Sequence, residues 1–372
     1  MIVRILLVTT ILGCGPGRHA PRHTVPAPDF NKDPVPQRSV KAKLAPWSQR
    51  QGRWVGPSFN QAPSIAWTTM LGGPIIHPIT VVESDLLVVS AGVVSRLATD
   101  GKVRWRTAIG GDGSAVPMDT GVFVPNNNGV MQVLDEGTGG LKASHGSQAA
   151  ISTAALLLSG TPTWMDHSGA LVTPDSQTES LIDGPLSGSA SDGHRMVVGN
   201  FFGEVSSLNE SGRHWTTVLP GPILGHPVID EDRVYLAFGV NEATKGGIAA
   251  LDMGSGDKLW LTVLGFEPGA SPALGTHLIV PGKSGELIAL DRTHGGVRWG
   301  VPSKAPFTIQ PLVIADAVFA GDAEGRLFRI DMDDGGTVWS IDLGAMVTGE
   351  GVVIGQQMFF GTSDGRLIGL QQ

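Results

Sequence analysis

Between residue 64 and the C-terminus, apolar residues come in short runs of four to six, separated by turn residues. Runs of this length with such punctuation predict strands, and no window keeps a helical period. The clearest unit is residues 271–299, SPALGTHLIVPGKSGELIALDRTHGGVRW. It reads as four strands, at 272–274, 277–281, 286–291 and 297–299. A glycine in the same local setting recurs about every 39 residues, at Gly92, Gly129, Gly169, Gly203, Gly247, Gly285, Gly325 and Gly365. A period near 40 means copies that bury their faces against their neighbours.

Each recurring residue has a mechanical reading. The glycines, among them Gly285, Gly325 and Gly365, are expected in tight hairpins that need positive φ. Asp252, Asp291 and Asp331 are expected to hydrogen-bond their own turn backbone. Trp105, Trp215, Trp260, Trp299 and Trp339 are large and flat enough to wedge between adjacent sheets. Copies end near Trp105, Ala143, Ile182, Trp215, Trp260, Trp299 and Trp339, and the third, near 151–183, is the most degenerate. The last stretch, 347–370, offers three strands and no tryptophan. Residues 64–69, SIAWTT, supply a fourth strand carrying Trp67. The predicted fold is therefore all-β. It is an eight-bladed propeller of four-stranded antiparallel blades over 64–372, closed by the N-terminal strand, which removes open sheet edges.

The order Ala289-x-Asp291-x-Thr293-x-Gly295-x-x-x-Trp299, repeated as Ala250-x-Asp252, Gly256 and Trp260, resembles the repeat of the quinoprotein-like (PQQ-like) eight-bladed propellers. A Trp-Asp-type propeller has a similar period, but no Trp-Asp pair ends a copy here.

The chain has 372 residues and a net charge of −8, which does not indicate nucleic-acid binding. Its one cysteine, Cys14, excludes an intrachain disulfide. Arg4, an apolar run over 5–12 and then Ile11-Leu12-Gly13-Cys14 resemble a bacterial lipobox. That resemblance implies a signal peptide at 1–13 and acylation of Cys14. The run is too short to span a bilayer. By resemblance to the usual lipoprotein sorting pattern, Gly15 after the cysteine, where aspartate is absent, implies the outer membrane. Residues 14–46 read as a tether, since 15–46 hold seven prolines and six positive residues. Residues 47–63, with Trp47 and Trp54, form a lead-in to the propeller.

Several motifs invite catalytic readings that their context removes. Gly361-Thr-Ser363-Asp-Gly365 matches the serine-hydrolase pattern but falls in a hairpin, not a strand-to-helix elbow. Gly282-Lys283-Ser284 lacks the first glycine and the helix of a phosphate loop. Asp331-Met-Asp333-Asp334-Gly335 lacks the register and glutamate of an EF-hand. His77 and His226, in GPIIHP and GPILGHP, take the same place in the first and fifth copies and are candidates for the channel mouth. The quinoprotein dehydrogenases use an adjacent cysteine pair and a much longer chain. This chain has neither, so no cofactor and no metal are expected.

Lipid anchor, tether and propeller together resemble the BamB-type lipoproteins. The resemblance implies a non-enzymatic, monomeric scaffold facing the periplasm. It implies binding to envelope proteins, the barrel-assembly machinery among them, with membrane contact through the anchor alone. The alternatives are a surface or periplasmic ligand-binding propeller and a quinone-dependent dehydrogenase.

Overall fold

A computed structural model describes residues 59–111, 113–240 and 245–372. The predicted signal peptide, Cys14, the tether and residues 47–58 of the lead-in lie outside them. Eight four-stranded antiparallel sheets follow one another as the blades of a propeller, with no helix among the described residues. Blades 1 to 7 occupy residues 80–108, 116–146, 156–180, 186–218, 223–264, 273–302 and 312–342. Blade 8 combines residues 347–371 with the strand Ser64–Met70. First strands of successive blades approach one another and so lie innermost.

The core is a series of interfaces between blades. One cluster joins Ala273, Ile279, Leu287 and Trp299 of blade 6 to Val313, Val318 and Ile330 of blade 7. Burying each such aliphatic side chain is worth about 1.5–3 kcal/mol before chain entropy is counted. Short strands suffice because the apolar runs are covered on both faces.

The ring closes where Ser64–Met70 pairs antiparallel with Arg366–Gln371, with Trp67 opposite Gly369. The indole of Trp67 is clamped by two glycines. A Cβ on Gly369 would stand 2.3 Å from the ring, and one on Gly101 of blade 1 would stand 2.6 Å away. Its Nε1 donates to Thr99 O at 2.8 Å.

That hydrogen bond is repeated around the ring. Trp105 Nε1 donates to Glu136 O (2.9 Å), Trp215 to Met253 O (3.0 Å), Trp260 to Arg292 O (3.0 Å) and Trp299 to Met332 O (2.8 Å). Each acceptor lies in the turn between the third and fourth strands of the next blade. Blade 8 has no such turn, because its outer strand, Ser64–Met70, precedes blade 1 in the sequence and does not follow Arg366–Gln371. There Trp339 Nε1 donates to Phe59 O instead, at 2.7 Å. Phe59 also meets Phe319 edge-on, with ring centroids 5.8 Å apart.

The aspartates organise these turns. Asp252 accepts from the N–H groups of Gly254 and Ser255, and Asp291 from those of Thr293 and His294. Asp331 accepts from Asp333 N–H at 2.9 Å. The Ser255 N–H foremost holds the Asp252 carboxyl below its usual range, and Arg298 does so for Asp291. Asp252 and Asp291 therefore stay ionised well into acid.

Gly285, Gly325 and Gly365 have φ of +100°, +87° and +86° in the hairpins between second and third strands. Gly247 does not share that place. It lies inside the strand Gly246–Asp252, where a Cβ would stand 2.4 Å from the Phe238 ring. The blade 5 hairpin precedes it, and the glycine keeps the spacing while serving ring packing instead.

Blade 3 departs from the others in a compensating way. Ala143 of blade 2 stands where most blades carry the outer tryptophan. Trp164, fully buried in the second strand of blade 3, packs in the same cluster and donates to Ser147 Oγ at 3.0 Å. An indole from the following blade thus fills the interface that blade 2 leaves thin.

A threonine two residues after the outer tryptophan makes a second stitch. Thr69, Thr107, Thr217 and Thr262 donate to the carbonyls of Gly101, Gly139, Gly256 and Gly295 at 2.5–2.8 Å. Thr262→Val is expected to cost about 1 kcal/mol, one net hydrogen bond plus a part-buried carbonyl left unmatched. The urea midpoint should fall with no change of slope; an unchanged midpoint would show that the stitch is not stabilising.

Candidate functional site

Two regions have features beyond those the ring needs for its own cohesion. The first is the axis. Strand register defines a line across each blade from the outer tryptophan inwards, for example Trp260–Ala250–Tyr235–Val228 in blade 5. The same line ends at Ala273 in blade 6, Leu312 in blade 7 and Val352 in blade 8. Two residues before those ends, on the innermost strand or its approach, stand His226, Ser271, Gln310 and Glu350. The equivalent places in blades 1, 2 and 4 hold Pro78, Ser114 and Gly188, which follow from the pairings of Thr80, Val116 and Ala190. Blades 5, 7 and 8 therefore place larger polar side chains there than blades 1, 2 and 4 do.

His226 sits on this line, and His77 does not. Counted from the first hairpin, His77 falls one residue earlier, so Pro78 takes the matching place in blade 1. The two histidines belong to blades four steps apart but are not strict equivalents. The His226 N–H donates to Ser271 Oγ at 2.7 Å, and its imidazole lies beside Gly188 of blade 4. The residue is part-buried. Desolvation lowers its pKa, so the ring is neutral at physiological pH.

Gln310 Nε2 donates to Pro272 O at 2.6 Å, tying blade 7 to blade 6. Ile79 N–H donates to Glu350 O at 3.3 Å, tying blade 1 to blade 8. Between these strands lies a cavity of about 40 Å³ lined by Gln310, Glu350 and apolar residues including Ile79, Ala273, Leu274 and Leu312. Among the described residues no hydrogen bond or ion pair reaches the Glu350 carboxyl. Burial pushes its pKa up to about 7.

The second region is a set of exposed apolar side chains on blades 4 and 5. The strand Lys258–Leu264 is the outer edge of blade 5 and exposes Leu259, Leu261 and Val263 at alternate positions. At the place of Leu261, blades 1, 4 and 7 carry Arg106, Thr216 and Ser340. The blade 4 hairpin presents Phe201 and Phe202, 51% and 69% exposed, where the hairpin of blade 7 carries Ala323 and Glu324. Lysines and other charges usually blunt an open sheet edge; here they are replaced by aliphatic groups.

The other motifs resolve into turns. Ser363 lies in a hairpin closed by Gly365 N–H to Thr362 O at 3.1 Å, and Lys283 and Ser284 lie in one closed by Gly285 N–H to Gly282 O at 3.2 Å. No group of three or more His, Cys, Asp or Glu able to hold a metal ion occurs among the described residues.

The family model described as outer membrane protein assembly factor BamB matches residues 157–270 and 244–372, more than half of the chain. The chain belongs to the BamB family. No curated protein matches it in sequence. Its fold is similar to that of BamB from Moraxella catarrhalis, with a TM-score of 0.70 and 16% identity over 83% of this chain and 100% of that one. The computationally designed protein Ika8 is similar at a TM-score of 0.67 and 15% identity, over 82% of this chain and 98% of its own. So is the quinohemoprotein alcohol dehydrogenase ADHIIG from Pseudomonas putida HK5, at 0.67 and 14%, over 84% and 77%. At these identities the likeness is one of fold.

The fold shared with the dehydrogenase raises the question of a quinone. A drug-sized ligand needs roughly 300 Å³ or more of enclosed space. The axial cavity offers about 40 Å³ with a single carboxyl on its wall. The residues lining that cavity carry one carboxyl and one side-chain amide.

Proposed function

We propose that the chain is a non-enzymatic scaffold, held at the outer membrane through acylated Cys14, facing the periplasm and binding envelope proteins of the barrel-assembly machinery. Membership of the BamB family supports the class of function. The observation that carries a binding role is the set of exposed apolar side chains on blades 4 and 5, Phe201 and Phe202 on the hairpin of the first and Leu259, Leu261 and Val263 on the outer strand of the second. Exposed aromatic and aliphatic groups of this kind are the usual anchors of protein interfaces. A rigid ring holds them without any catalytic group.

The test is recovery of partners from detergent-solubilised membranes. The wild-type chain should bring down a barrel-assembly component. The double variant Leu261→Lys, Phe202→Ser should lose most of it while its stability changes by no more than about 0.5 kcal/mol per site. Equal recovery by the variant would dismiss this surface. Absence of any such component with the wild type would dismiss the scaffold reading itself.

The ligand-binding alternative is favoured by one observation only, the Glu350 cavity.

A further inference from the structure

The seam where the chain enters the wheel lies at the end of the blades that carries the turns between third and fourth strands. Ser64 pairs with Gln371, where the third strand of blade 8 finishes, so residues 59–63 lie at that end. Phe59 O accepts from Trp339 as turn carbonyls do elsewhere, and Gln372 Nε2 donates to Gln61 O at 2.9 Å. Arg329, only 2% exposed, reaches Asn60 Oδ1 at 2.9 Å and the Asp316 carboxylate of blade 7 at 3.8 Å. A carboxylate thus stands beside the first described residues of the entering chain.

This end of the wheel is acidic and the other is not. The turn between third and fourth strands carries at least one Asp or Glu in every blade from 1 to 7. The hairpins between second and third strands carry none in blades 1, 2, 4 and 6. In blade 7, next to the seam, Asp316, Asp333 and Asp334 are all exposed. Among the described residues no cation pairs with Asp333 or Asp334.

The chain that leads into the seam has the opposite character. Residues 39–58 hold Lys41, Lys43, Arg50 and Arg53 and no Asp or Glu. We propose that this basic segment docks on the turns of blade 7, with its lysines and arginines against Asp316, Asp333 and Asp334. It continues the contact that Phe59, Asn60 and Gln61 already make. Reach permits it, since the six residues from Arg53 to Phe59 span up to about 20 Å when extended. Exposed charge pairs are weak one at a time. A segment joined covalently to the face it binds works at a high effective concentration, so a few such pairs suffice. Docking leaves the hairpin end, with Phe201 and Phe202, as the end open to a partner. That consequence rests on the scaffold reading; the docking itself does not.

The experiment uses the full chain in detergent, without lipid, under limited trypsin digestion. The four basic residues are cleavage sites, and Arg18 and Arg22 upstream serve as internal references. In about 20 mM NaCl, cleavage after Arg50 and Arg53 relative to the references should be about fivefold slower than in about 500 mM NaCl, which screens the pairs. The triple variant Asp316→Asn, Asp333→Asn, Asp334→Asn should be cleaved at low salt as fast as the wild type is at high salt. Asparagine can keep the turn hydrogen bonds. If that variant does not fold, the salt comparison on the wild type decides alone. Equal relative rates in the two salts would overturn the docking, as would a folded variant protected like the wild type. Protection that grows with protein concentration would give the face to a second copy, and protection seen only on adding phosphatidylglycerol vesicles would give the segment to lipid; either overturns the proposal. None of these rates depends on partner recovery, so this inference and the scaffold reading fail separately.

Discussion

Trp67→Ala should destabilise the propeller by about 3 kcal/mol, towards the low end for loss of an indole because one side of the ring reaches solvent. The loss combines three contacts that alanine cannot make: the glycine clamp of Gly369 and Gly101, the hydrogen bond to Thr99 O, and the packing on Phe359 at 5.8 Å. The effect should exceed its energetic size, because Ser64–Met70 is the only strand that covers the edge of Arg366–Gln371. The variant should therefore also expose a pairing edge and aggregate on warming. Urea denaturation and light scattering on a thermal ramp measure the two parts. A variant as stable and as dispersed as the wild type would remove Trp67 from the closure.

Glu350→Gln should act in the opposite direction, and its effect should depend on pH. The folded-state pKa of about 7 lies above the ordinary glutamate value of 4.5. Such a raised group contributes stability that is full below the unfolded value and is lost as pH rises through the folded one. Between pH 5 and pH 8 the wild type should lose roughly 2–3 kcal/mol from this group alone. Glutamine carries no charge and should flatten that slope, so the variant gains on the wild type as pH rises. Urea titrations of both proteins at pH 5 and pH 8 test this. Parallel losses would show that the carboxyl is well solvated after all.

The elements that were legible in the sequence were those set by local chemistry repeated many times. The hairpin glycines, the turn aspartates and the outer tryptophans recur at fixed offsets, so eight blades and a borrowed closing strand could be counted. Gly247 shows the limit of such counting. It keeps the period, but the contact that requires glycine there is the Phe238 ring across the sheet, which no local pattern reveals. The Trp-x-Thr stitch at Thr69, Thr107, Thr217 and Thr262 was visible as a pattern and went unread, because its acceptor belongs to the next blade. Trp164 stood outside the tryptophan register and answers to Ala143, an interface property. The axial line of His226, Ser271, Gln310 and Glu350 was the least legible. It follows from pairing across four strands in each of four blades. His77 and His226 drew attention through their shared His-Pro pair, which lies one residue out of step between the two blades.

The seam at Phe59 and Trp67 has a consequence for how the molecule comes into being. Ser64 pairs with Gln371, so the segments that shut the wheel are separated by almost the whole propeller. A nascent polypeptide emerging amino-terminus first must keep SIAWTT waiting until residues 366–371 have appeared. Seven blades can assemble in the order of their synthesis, but the eighth cannot. Loss of residues 366–371 alone would leave every other blade with its own strands and deny the opening strand its mate.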